Sequence, residues 1–260
     1  NNSVRSAGGN LVFVYKAAAE IGELGDNTRN MRAAISADDI LRAAVSVPGA
    51  RVTVLGHTRW ASVGIISEPN AHPVNNERSL SDDARPYVIA ALNGDVDNHG
   101  DLRIAHGLEF PGQITTDAKV IPAVLAEHLV ATSGDLAEGF RRSVVEFDGS
   151  VAIAAQTALA PNQVALALRG SGQALYVGLA PDLFIVASEP YGLVEVTDRY
   201  LRLDGETPGN PANPGASQGQ VIRLHASGAG SLEGITRLAY DGTPLPVAPD
   251  ELQRAQITTR

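Results

Sequence analysis

Cysteine is absent from all 260 residues, and methionine and tryptophan occur once each. The missing thiols exclude disulfides and thiolate metal sites. Six histidines stand at positions 57, 72, 99, 106, 128 and 225, and no two have the short helical spacing that zinc helices use, so neither a metal nor a cofactor is expected. Basic charge is also scarce: 20 Lys and Arg against 29 Asp and Glu give a formal charge of -9, with no block of like sign that could neutralise a phosphate backbone. Nucleic acid is not an expected partner. No apolar run approaches the roughly 20 residues of a membrane span, and the opening NNSVRSAGGN lacks a basic-then-apolar signal pattern. A cytoplasmic protein without a membrane partner is the expectation. With 44% hydrophobic and 19% charged residues, the chain can bury one large core or two modest ones.

Short runs rich in β-branched and aromatic residues predict strands at 11–15 (LVFVY), 51–55 (RVTVL) and 87–92 (YVIAAL). Ser36 with Asp39 three residues on reads as a capping box for a helix over 37–47, which Pro48-Gly49 ends. Apolar residues from Val120 to Leu129 recur at helical spacing and predict a helix over 117–131, with a further one over 136–147. From Ser150 the pattern becomes strands at close intervals: VAIAA, QVALALR, ALYVG, LFIVAS, YLRL and QVIRL. These read as an antiparallel sheet, so the fold class is α+β with layered sheets and helices. Residues 205–218 (GETPGNPANPGASQ) predict an exposed loop, and the proline-bearing tail beyond Arg237 reads as a linker. No internal repeat is present.

Residues 58–86 show no regular pattern over a length far above the usual loop of about 4 to 6 residues, and long loops are commonly lids or binding loops. This stretch begins inside GHTRWASVG (56–64) and continues into IISEPNAHP (65–73). Arg59 offers a planar fork suited to a carboxylate, Trp60 an aromatic lid and Ser62 a short donor. Taken singly, an arginine in an ion pair and a tryptophan in a core are the commoner uses of these residues. His72 before Pro73 reads as a turn-shaping step more than as a ligand or base. ALNGDVDNHGDLR (91–103) carries Asn93-Gly94 at a strand end, and TTDAKV (115–120) puts Asp117 in the first turn of a helix. Alone, the first reads as a hairpin turn and the second as a helix cap. Arg169-Gly170-Ser171-Gly172 lacks the strand-to-helix setting of a phosphate loop and reads as a turn.

Taken in order, these words resemble the class II, N-terminal-nucleophile glutamine amidotransferases, and among them the glutaminase half of the glucosamine-6-phosphate synthase type, glutamine:fructose-6-phosphate amidotransferase. FDGSVAIAA, LALRGSGQALYVGLAPDLFIVASEPYGL and the closing ITTR extend the likeness over nearly the whole chain. The resemblance implies a four-layer α/β/β/α sandwich over residues 1–237 and a linker over 238–260 leading to a sugar-isomerase domain that is absent from this sequence. It further implies glutamine as substrate, with Arg59 on its α-carboxylate, Asp117 on its ammonium, Trp60 and Ser62 in the closing flap, and Asn93 with Gly94 as the oxyanion hole. Ammonia would pass to a sugar phosphate, fructose 6-phosphate. Homo-oligomerisation is left open.

Three departures stand beside this likeness. The family attacks glutamine with an N-terminal cysteine, which this sequence lacks, and Val63 and Leu92 stand where the family has histidines. The Ser6-Ala7-Gly8 match begins after the family's nucleophile strand would have ended. Asn1-Asn2-Ser3 does not resemble a natural start, so a processed piece of a longer glutaminase is one expectation. An inactive amidotransferase fold kept for glutamine binding, regulation or assembly is the alternative. A third reading, a hydrolase of some other amide, is opposed by Arg59, Asn93-Gly94 and Asp117 standing together, since all three suit a free amino acid.

Overall fold

The computed structural model describes residues 2–18, 25–58, 63–77, 85–170 and 172–255. The strands are β1 (Asn2–Ala7), β2 (Asn10–Tyr15), β3 (Val74–Asn75), β4 (Val88–Gly94), β5 (Val151–Thr157), β6 (Gln163–Arg169), β7 (Ala174–Ala180), β8 (Leu183–Ala187), β9 (Arg199–Asp204), β10 (Gln220–His225), β11 (Ile235–Ala239) and β12 (Gln253–Arg254). The helices are α1 (Asp26–Ser36), α2 (Asp39–Val45), α3 (His99–Ala105), α4 (Val120–Ala131), α5 (Leu136–Val145) and the single turn α6 (Pro214–Ser217). A six-stranded sheet runs β11-β10-β6-β5-β4-β3 and a four-stranded sheet runs β12-β9-β7-β8, both antiparallel throughout.

Two-residue alternation explains how the central sheet serves two cores at once. Val151, Ile153, Ala155, Ala165 and Ala167 face α4 and α5, where they join Val124, Leu125, Phe140 and Val144. Their neighbours Ala152, Leu166 and Leu168 face the second sheet and meet Leu175, Val177, Leu179, Leu201 and Leu203. Burial on both faces is why β5 and β6 read as nearly unbroken apolar runs. Helix α4 packs on β4 beside α5, which lies over β6 and β10, and α4 buries eight of its side chains, Val120 and Leu129 among them. Asp135 caps α5, its carboxylate accepting the N–H groups of Ala137 and Glu138. The result is a mixed structure of two stacked antiparallel sheets with α4 and α5 against the six-stranded one, consistent with the expected layered α/β/β/α class.

Several expectations are corrected. Residues 51–55 form no strand: no described residue pairs with them, and Val52 and Val54 are 61% and 84% exposed. The predicted helix over 37–47 is the shorter α2, capped by Asp38 through Leu41 N–H at 2.9 Å, because Ser36 already ends α1. Neither α1 nor α2 carries a buried side chain. Helix α3, a 3-10 turn at Glu68–Asn70 and β3 lie in stretches where no pattern was evident. The tail read as a linker folds onto the sheets as far as Ala255: Tyr240 is buried, Val247 and Leu252 pack on the inter-sheet core, and β12 pairs with β9. The 205–218 segment forms a loop containing α6, with Ser217 buried at its base.

Candidate functional site

Asp117, in the 3-10 turn that leads into α4, is 4% exposed. Its Oδ2 accepts the backbone N–H of Val96 at 2.8 Å, and Oδ1 accepts the Thr116 hydroxyl at 3.4 Å. Val96 follows Asn93-Gly94, so the aspartate is tied to the turn that the Asn-Gly pair opens. A carboxylate has about four acceptor positions, and these two bonds leave it capacity for a further donor.

Asn93 and Gly94 are the last residues of β4, opposite Ala152 and Val151 of β5, and the Asn93 side chain is exposed. Gly94 has φ +116°, and a Cβ there would stand 2.0 Å from Ser150 O. Only glycine permits this conformation and this approach, so the turn is built on Gly94 for backbone reasons whatever else it does.

The loop after the GHTRW word is held against the Asp117 turn by a residue whose role was not evident from sequence. Asn70 is fully buried; its Oδ1 accepts the N–H groups of Thr115 and Thr116 at 2.8 and 3.0 Å, while Nδ2 donates to Ser67 Oγ and Gln113 O. All four of its hydrogen bonds are made, so this one amide sets the register between two segments some 45 residues apart. Ile65 N–H donates to Thr115 Oγ1 at 3.3 Å, and a Cβ at Gly64 would lie 2.8 Å from that same oxygen.

His72, read as a turn former, begins a cis peptide to Pro73, and its Nδ1 accepts the N–H of Leu92 at 3.3 Å. The His57 ring lies against it, tilted by 36°, at 4.5 Å between centroids. Lys119, 2% exposed, donates to Asn75 O, Asn75 Oδ1 and Glu77 O at 2.7, 3.0 and 2.8 Å. Burial, reinforced by the charge of Lys16, lowers its pKa to about 8.

The structure therefore ties Asp117 to the turn after Asn93-Gly94 through Val96, with Asn70 bonded to the backbone just before Asp117 and His72 to that just before Asn93. Arg59, Trp60 and Ser62 lie outside the described residues. Their described flanks, His57 and Gly64, rest on His72 and Thr115 respectively. Among the described residues no group of three or more His, Cys, Asp or Glu side chains is arranged to hold a metal ion. Nor is any described helix long and apolar enough to cross a membrane. Ser171, in the turn read against a phosphate loop, also lies outside the described residues.

No family model matches the chain. Among curated proteins it is similar to glutamine-fructose-6-phosphate aminotransferase (isomerizing) of Bordetella pertussis, 35% identical over 153 residues that make up 58% of this chain and 24% of the relative. The enzyme of the same name from Pseudomonas aeruginosa is 33% identical over 151 residues, 58% of this chain and 23% of the relative. That from Bacillus thuringiensis subsp. konkukian is 29% identical over 194 residues, 75% of this chain and 28% of the relative. The chain thus spans about a quarter of the length of these relatives. Among solved structures, glutamine phosphoribosylpyrophosphate amidotransferase from B. subtilis, complexed with ADP and GMP, aligns with 71% of this chain and 34% of its own at 21% identity and a TM-score of 0.49.

One implication of the family likeness is overturned. Glutamine hydrolysis through a thioester requires a cysteine, and none of the 260 residues is one. Ser3 offers no substitute, since it lies inside β1, paired with Val14. The glutaminase function expected from the resemblance, with nitrogen passed on to a sugar phosphate, is therefore not a function of this chain's residues. What the sequence comparisons show is similarity, over part of the chain, to proteins named glutamine-fructose-6-phosphate aminotransferase (isomerizing).

Proposed function

We propose that this chain is an amidotransferase-fold domain that binds glutamine without hydrolysing it, in a regulatory or assembly role. The observation that carries the reading is the pairing of a missing nucleophile with a supported recognition turn. The 260 residues contain no cysteine, yet Asp117 is buried, oriented by Val96 N–H and backed by the saturated amide of Asn70. A buried carboxylate with spare acceptor capacity suits an ammonium group. In this reading Asp117 holds the α-ammonium of glutamine and Arg59 its α-carboxylate, while Trp60 and Ser62 close over the ligand. Asn93 and Gly94, with no tetrahedral intermediate to stabilise, contact the side-chain amide. The location is cytoplasmic. Fructose 6-phosphate, named in the relatives, enters only as the ligand of a neighbouring domain that glutamine occupancy would regulate.

The test is an amide NMR titration of the protein with L-glutamine, with D-glutamine as the control. Saturable shifts at Val96 and Thr116, specific to the L-isomer, are expected. Shifts absent from both segments at millimolar ligand would refute the reading.

A further inference from the structure

His106 follows the last turn of α3 and lies between two carboxylates carried by other helices. Its Nδ1 is 2.7 Å from Glu127 Oε2 on α4, and its Nε2 is 2.7 Å from Glu146 Oε2 at the C-cap of α5. A neutral imidazole has one N–H and one lone pair, whereas an ionised carboxylate only accepts. Both contacts are hydrogen bonds only when the ring is doubly protonated. With one proton gone, a nitrogen lone pair faces a carboxylate oxygen and that link is lost.

We propose that His106 is a pH-operated clamp, joining α3 to both α4 and α5 as an imidazolium and letting go of one of them when it loses its proton. The inference does not depend on any ligand of the protein.

The surroundings define what the clamp works against. From α4 it is faced by Glu127 and His128, from the end of α5 by Glu146, and from the segment before β4 by Arg85, whose Nη1 is 3.2 Å from Glu127 Oε1. His128 Nε2 meets the other oxygen of Glu146. Glu127 and Glu146 therefore each keep a second cationic or N–H partner, so it is α3, not they, that is released. The Arg103 guanidinium, on α3 itself, stacks on Phe110. The N-terminal end of α3 is held by bonds that do not titrate: Asn98 Nδ2 donates to Glu146 O at 2.8 Å, and Asn98 Oδ1 accepts Asp148 N–H at 3.0 Å. Leu102 is the one buried side chain of the helix. Release at His106 therefore loosens α3 from its C-terminal end while Asn98 stays fixed.

The charge balance runs the same way. Burial works against the His106 cation, but its bonds to Glu127 and Glu146 outweigh this and raise its pKa above the ordinary imidazole value. Burial likewise favours neutral Glu146, and the bonds to His106 and His128 outweigh that and hold it below the ordinary carboxylate range. A raised histidine stabilises fully below its unfolded pKa of 6.5, and that stabilisation is lost as the pH rises through the higher folded value. The lowered Glu146 adds stability above 4.5 that disappears as the pH falls through its folded value. The clamp is complete between these limits and opens on the alkaline side.

Two measurements on the protein test this. Long-range proton–nitrogen NMR should show both His106 nitrogens protonated at pH 6 and a pKa above 6.5. Hydrogen exchange, corrected for its intrinsic pH dependence, should show protection of the α3 amides falling by about 10-fold from pH 6 to 9, the scale of one charge-assisted bond. His106→Gln should abolish that pH dependence, and His128→Gln should leave it in place. A His106 pKa at or below 6.5 overturns the proposal. So does a fall in protection that survives His106→Gln or vanishes in His128→Gln.

Discussion

The Asp117 carboxylate accepts the Val96 N–H at 2.8 Å, and this contact joins the turn that starts α4 to the turn that leaves β4. Through it the candidate ammonium anchor and the Asn93-Gly94 pair become parts of one structure. Substitutions at Asp117 separate two roles, that of an acceptor for the backbone and that of a charge for a ligand. Asp117→Asn keeps an oxygen for Val96 and removes the charge. Glutamine affinity should fall at least ~10-fold, the scale of one charge-assisted contact, with thermal stability nearly unchanged. Calorimetric titration and a melting curve on the same sample check both halves.

Asn70→Ala removes the acceptor shared by the N–H groups of buried Thr116 and exposed Thr115. Stranding the buried Thr116 donor costs about 1–3 kcal/mol, so urea unfolding should show a loss of at least ~1 kcal/mol. Glutamine binding should weaken as well, because the Asp117 turn loses its support. A stability loss below ~0.5 kcal/mol, the usual range for surface changes, would remove Asn70 from this role.

Gly94→Ala asks for a Cβ 2.0 Å from Ser150 O at a φ of +116°. The end of the β4-β5 ladder must then open, and the amide of Asp95, bonded to Ser150 O at 3.1 Å, should lose its exchange protection. Retained protection there would contradict the geometry of the turn.

The hydrogen bond from Arg141 holds the Glu138 carboxyl down to about 2, against partial burial and with the help of Arg142. A depressed carboxylate contributes stability that is present above its unfolded pKa of 4.5 and is lost as the pH falls toward 2. The unfolding temperature should therefore drop between these values, and Glu138→Gln should flatten that part of the profile. The acid limb of a calorimetric pH series gives the answer.

The strands β5, β6 and β10 were legible because they bury both faces and so carry near-continuous apolar runs. Helix α4 was legible for a related reason, its apolar residues being packed between sheet and helix. The RVTVL segment has the composition of a strand but finds no strand partner among the described residues, and strand propensity without pairing leaves an exposed segment outside any sheet. Helix α1 is polar and buries nothing, while α3 buries only Leu102, so neither has an apolar period to detect. Asp117 and Asn93-Gly94 became candidates through their order along the chain. Asn70 was not, because its partners lie about 45 residues away and an asparagine before Ala-His-Pro reads locally as a turn. The tail beyond Arg237 misled through its prolines, although Tyr240, Val247 and Leu252 already marked side chains that could be buried.

The central claim is glutamine binding without glutamine hydrolysis. Isothermal titration of the protein with L-glutamine, followed by a glutamate assay of the cell contents, tests it most directly. The account predicts saturable heat and no glutamate above the buffer blank. Glutamate accumulating in proportion to protein and time, or no binding heat at millimolar glutamine, would contradict it.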